Sequence, residues 1–196
     1  MGAPTEDETR FFDSMWDRNR SDPVVWIASS ESLFRSFDIL SASATEEVTH
    51  LRNDPAAASR QPQVGSVALM CGGFAIEMAL KALIFARNMD TQGKSLFTHD
   101  LVTLIEKAEV PVSVQEIDLL ARLTVFTKWG GRYPTPKNVE DFRPYTFLNG
   151  GWGLQTIYAI PTDFDATKAI YGRIKTILQT VAPWWAWSDA PIERRS

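Results

Sequence analysis

"GGFAIEMALKALIFARN", residues Gly72 to Asn88, is a nearly unbroken apolar, helix-forming run that Glu77 and Lys81 interrupt four residues apart. That spacing puts both on one helical face, with the Glu first, the favoured order for an i, i+4 ion pair. Glu and Lys are seldom fully buried without a partner, so their setting admits two readings. In one they are a solvated pair along a narrow polar stripe, worth about 0.2–0.5 kcal/mol. In the other they join a partly buried structural network with His99 and Asp100 of "THD", and with Arg132. Breaking such a network costs about 3–5 kcal/mol.

Extended back to Val64, the run is apolar over most of its circumference, with Gly73, Glu77, Lys81 and Asn88 near one line. A helix of that kind belongs in the middle of a bundle or at a subunit interface. Gly72 and Gly73 predict a close helix approach, within the bundle or across a dimer seam. The stretch approaches the length of a membrane span, but a charge at the centre of a span costs about 2.5–3.5 kcal/mol. A core helix is expected, and no membrane partner.

Working outward, "SDPVVWIASSESLFRSFDIL" begins as a helix, with Asp22 as cap and Pro23 at its first position. Trp26, Leu33, Phe37 and Leu40 recur at helical spacing, and the helix extends through "SATEEVTHL". "NDPAAASRQPQ" breaks it. A third helix follows Thr98, its expected cap, burying Leu101, Leu104, Ile105 and Ala108. A fourth follows Ser113, with Val114, Ile117, Leu120, Ala121, Leu123 and Val125 on its apolar side. Gly130 and Gly131 suit a left-handed turn after it, and the prolines of "GGRYPTPK" stop its resumption. Residues 142–160, around "NGG", read as a loop-rich stretch or a short hairpin. A last helix starts at Thr162 or Asp163 as cap and turns Ala169, Ile170, Ile174, Ile177, Leu178 and Val181 inward. The fold class is all-α, an up-and-down bundle of four to five helices spanning residues 23–182. Residues 1–22 carry six acidic and three basic side chains and form a flexible acidic arm or a short docking helix. Residues 183–196 form a tryptophan-rich tail.

The 196 residues carry a net charge of −4, so no global field favours nucleic acid or anionic membrane, although a local basic patch remains open. Cys71 is the only cysteine, which excludes an intrachain disulfide and a multi-cysteine zinc site. His50 and His99 lack companions at ligand spacing, so no metal or cofactor is expected. The acidic N-terminus has no apolar core of the secretory kind, and a cytoplasmic location is expected.

Four stretches, in this order, resemble the HEPN superfamily of small helical bundles. "PVVWIASSESLF" is similar to its first helix and "FAIEMALKALI" to its second, where a Glu and a Lys interrupt an apolar run. "THDLVTLI" is similar to the start of its third and "TKWGGRYPTP" to the close of its fourth. From Pro23 to Pro136 they span about 110 of the 196 residues. The resemblance implies a cytoplasmic homodimer. It also implies an RNA or nucleotide ligand, or a partner protein encoded nearby, in a toxin–antitoxin or antiviral defence setting. The family's ribonucleases carry an Arg followed, after four to six residues, by a His. The Arg stabilises charge on the reacting phosphate while the His moves a proton. Ser43, Ala44 and Thr45 stand at the Arg positions before His50, and Gln92, Gly93 and Lys94 before His99. No His follows Arg132. The motif is absent, and the expected function is a non-catalytic module.

Arg132 is the candidate catalytic residue of the alternative, a divergent metal-independent ribonuclease with Tyr133 or His99 as its acid–base group. Lys128, Trp129, Arg132, Tyr133 and Lys137 mix cations with aromatics, as sites that hold phosphates and stack bases do. Arg122 and Arg143 extend the same basic stretch. Trp184, Trp185 and Trp187 are the candidate docking cluster of a third reading, a structural interaction protein. His99 stands in the first turn of its helix, where the helix dipole favours a neutral, hydrogen-bonding imidazole.

Overall fold

The computed structural model describes residues 5–53, 64–89, 98–131, 145–146, 152–153 and 161–182. Among these residues, six α-helices run in the order α1 (Glu6–Ser21), α2 (Pro23–Asn53), α3 (Gly65–Ala86), α4 (Leu101–Lys107), α5 (Val114–Val125) and α6 (Pro161–Val181). Between α5 and α6 a two-residue antiparallel pairing, β1 (Tyr145–Thr146) with β2 (Trp152–Gly153), matches Tyr145 to Gly153 and Thr146 to Trp152. The fold is all-α, with this short hairpin before the last helix.

The local signals that start the helices are those of their sequences. Asp22 accepts a bond from the Val24 amide at 2.9 Å ahead of the unbroken α2. Ser113 and Glu116 form a reciprocal capping box on α5, which satisfies two amides that would otherwise lack partners. Two expected caps are corrected. Asp100, not Thr98, caps α4, accepting from the Val102 and Thr103 amides, while the Thr98 hydroxyl accepts from the Asp100 amide. Thr162 and Asp163 both lie inside α6, which opens at Pro161, and the Asp163 carboxylate pairs with Arg122.

α3 is the central element, packing against α2, α4, α5 and α6. By length and composition it could cross a membrane, yet fourteen of its twenty-two residues are buried inside the bundle. The two glycines let other elements close on it from different sides. A Cβ on Gly72 would meet Thr167 of α6 and Phe37 of α2 at 2.9 and 3.0 Å, and one on Gly73 would meet Thr127 at 2.7 Å. The close approach is therefore within the bundle.

Side-chain faces follow the expected periods, with rotations. α4 buries Leu101, Leu104 and Ile105, and Ala108 just beyond it is buried too. α2 buries Ile27, Ser30, Phe37, Ser41 and Ala44, with Trp26, Leu33, Phe34 and Leu40 at the edge of the core. α5 turns Leu119, Leu120, Leu123 and Thr124 inward and leaves Val114 exposed, because α3 and α6 approach it from that side. In α6, Phe164, Thr167 and Tyr171 join the core and Ala169 faces out. α1 packs differently. Phe11, Phe12, Met15 and Trp16 are all exposed, and among the described residues no extensive contact ties the helix to the bundle.

After α5 the chain does not stop in a left-handed glycine turn. It widens into a π-helical turn, Phe126–Gly130, closed by a bond from the Gly131 amide to the Phe126 carbonyl at 3.2 Å. Glycine at 131 answers to proximity, since a Cβ there would sit 2.4 Å from the Met70 Cβ.

Candidate functional site

Glu77 and Lys81 lie on a face of α3 that meets polar side chains. Lys81 Nζ donates to Glu77 Oε1 at 2.7 Å, with residue exposures of 1 % and 0 % respectively. The reading as a solvated pair is thus corrected: α2, α4 and the π-helical turn cover this face of α3. The Trp26 ring of α2 lies 5.5 Å from Lys81 Nζ, close enough for the ring face to stabilise the ammonium.

His99 completes the cluster from the start of α4. Its Nδ1 lies 3.1 Å from each oxygen of Glu77. A nitrogen facing a salt-bridged carboxylate carries a proton and donates it, so in the neutral tautomer Nε2 is the nitrogen with the lone pair. The His99 side chain is 55 % exposed, and Nε2 has no partner among the described residues. One buried carboxylate therefore holds a buried ammonium on one side and a half-exposed imidazole on the other.

The bonds around His99 determine where it stands. Asp100 holds the first turn of α4, and the Leu101 amide donates to Thr124 Oγ1 of α5 at 3.0 Å. At the far end Arg87 Nη1 donates to the Ala108 carbonyl at 2.6 Å, tying α4 to the close of α3. Asp100 stands next to the cluster as a cap, its carboxylate turned to the α4 amides and not to Glu77 or Lys81.

The basic and aromatic stretch divides. Arg122 makes a two-pronged pair with Asp163 at 2.6 and 2.7 Å, so it braces α5 against α6 and does not extend the basic patch. Lys128 is exposed on the π-helical turn, and Trp129 follows it on the same turn. Such turns occur often at functional sites. Arg132, Tyr133, Lys137 and Arg143 lie outside the described residues, as do Trp184, Trp185 and Trp187. His50 is exposed on α2. Among the described residues no group of His, Cys, Asp and Glu could hold a metal ion. Cys71 is half-buried, and desolvation pushes its thiol pKa up.

Sequence reasoning missed a second polar spot. Ser30 Oγ donates to the Ala75 carbonyl at 2.7 Å and lies 3.3 Å from the Tyr171 hydroxyl, which stacks its ring on Phe34. Burial pushes the Tyr171 phenol pKa up, partly opposed by the Ser30 hydrogen bond. Serine at a core position of an apolar helix was its only sequence signal.

No family model, curated protein or solved structure matches this chain. The site therefore stands on its own chemistry.

Proposed function

We propose that this chain is a non-catalytic HEPN-like helical module that binds RNA or nucleotide, or assembles with a partner protein. A cytoplasmic homodimer in a defence or toxin–antitoxin setting is part of the same proposal. One observation carries it. Three of the four stretches that resemble the family meet in one cluster, where the Lys81 ammonium and His99 contact the buried Glu77 carboxylate and the Trp26 ring lies 5.5 Å from that ammonium. The exposure of Lys128 on the π-helical turn supports the binding reading.

The ribonuclease alternative has one observation in its favour. His99 is held by a carboxylate, half-exposed, with Nε2 turned to no partner among the described residues, which is what a proton carrier requires. A cleavage assay with His99→Ala and Arg132→Ala as controls separates the two readings.

The binding reading is tested with single-stranded RNA in a filter assay over a salt series. Lys128→Ala combined with Arg132→Ala weakens binding. It also flattens the salt dependence, by about 0.7 in the log–log slope for every phosphate that the double variant no longer neutralises. Unchanged affinity and slope in the double variant would sink the reading.

A further inference from the structure

α1 is a helix with no extensive contact to the bundle among the described residues. Its described side chains, from Glu6 to Trp16, are all exposed. A 16-residue helix is marginal on its own in water, where helical stability comes mostly from burying an apolar face. α1 has such a face. Phe11, Phe12, Met15 and Trp16 fall within about 140° of its circumference. They are 60, 57, 43 and 67 % exposed.

The charges around that face say what covers it. Arg10 and Glu6 pair at 3.5 Å on the opposite side of the helix, leaving Asp7 and Glu8 as the charge at its start. Glu8 lies in line with the apolar face, its carboxylate accepting from the Thr5 amide at 2.8 Å and the Thr5 hydroxyl at 2.9 Å. Asp7 stands on one flank. Arg18 follows it by eleven positions, about three helical turns, and so stands on the same flank at the other end. Acid and base therefore bracket the apolar residues.

Such a helix complements itself in one orientation. Two antiparallel copies bring the same flanks together, so the acids of each meet Arg18 of the other; parallel copies set acid beside acid. A twofold axis between Asp13 and Ser14 puts Phe11 opposite Trp16 of the second copy, and Phe12 opposite Met15. With five acidic and three basic residues, α1 is repelled by an anionic lipid surface.

We propose that α1 is a self-association helix, through which two copies of this chain pair antiparallel and bury Phe11, Phe12, Met15 and Trp16 between them. The inference rests on the homodimer part of the proposed function and names its surface. That surface precedes Pro23, where the first stretch resembling the HEPN superfamily begins, so the resemblance does not supply it. A helix about 24 Å long makes a small interface, so dimer and monomer exchange in about the micromolar range.

Sedimentation equilibrium of the full chain over a concentration series tests it. Trp16→Ala removes the largest aromatic anchor and weakens the dimer about thirtyfold. The side chain is exposed, so the variant bundle folds, as circular dichroism checks. Asp7→Arg and Arg18→Asp each weaken self-association about fivefold, and mixing the two variants restores pairing between them. A dimer indifferent to Trp16→Ala overturns the inference and leaves the homodimer reading to another face. Charge variants as tight as the wild type, or not rescued by mixing, also overturn it. A wild type that stays monomeric throughout the series overturns both the inference and the homodimer reading.

Discussion

Lys81 Nζ and Glu77 Oε1 are 2.7 Å apart at the centre of α3, with side-chain exposures of 2 % and 0 %. A pair so placed has lost its hydration, so each member depends on the other.

Removing one partner leaves a charge stranded in the core. Glu77→Gln or Lys81→Met alone destabilises the protein by about 3–5 kcal/mol, whereas Glu77→Leu with Lys81→Met together costs far less. Urea unfolding of the three variants measures the difference, and additive losses would contradict the geometry.

The glycines make opposite predictions. Gly73→Ala drives a methyl group to 2.7 Å from Thr127 and 3.3 Å from the Leu123 carbonyl, so it destabilises, by about 1–3 kcal/mol. Gly172 in α6 has nothing within 4 Å of an added Cβ, so Gly172→Ala stabilises by about 0.5–1 kcal/mol. Thermal melts of the two variants should move in opposite directions.

Glu116 carries a pH signature. The side-chain hydrogen bond from Arg173 is the main cause holding its carboxyl pKa below the ordinary value, and the Ser113 amide adds to it. The unfolded chain therefore takes up this proton first as pH falls. The stabilisation is complete above the ordinary carboxylate pKa and is lost as pH drops through the lower folded value. Arg173→Ala removes that part of the acid-side loss. Stability measured against pH in the acid range should be flatter in the variant than in the wild type.

α1 exposes Phe11, Phe12, Met15 and Trp16 and adds little to the core. Deleting residues 1–21 lowers the helical ellipticity yet leaves the urea midpoint of the bundle unchanged. A large drop in that midpoint would mean that the helix packs against the bundle in solution.

How much of this is legible in the sequence depends on the range of each interaction. The cap at Asp22 and the box at Ser113 and Glu116 act over two or three residues, and both can be read from residue type and order. The cap on α4 falls two residues later than expected because Thr98 and Asp100 are both good capping types, and only the observed chain direction separates them. Periodicity identifies the α4 core face correctly. On α5 it counts Val114 as buried, because hydrophobic spacing does not say from which side α3 and α6 arrive.

By itself the sequence determined that the chain is helical, where α2, α3 and α5 begin, and that Glu77 and Lys81 share a face, since propensity, capping and the 3.6-residue period are local properties. Tertiary structure alone decided that this face is buried, that His99 meets Glu77 across 22 residues of chain, and that Arg122 meets Asp163 across 41. Burial and long-range pairing depend on how helices pack, and a side chain's solvation is a property of its neighbours in space.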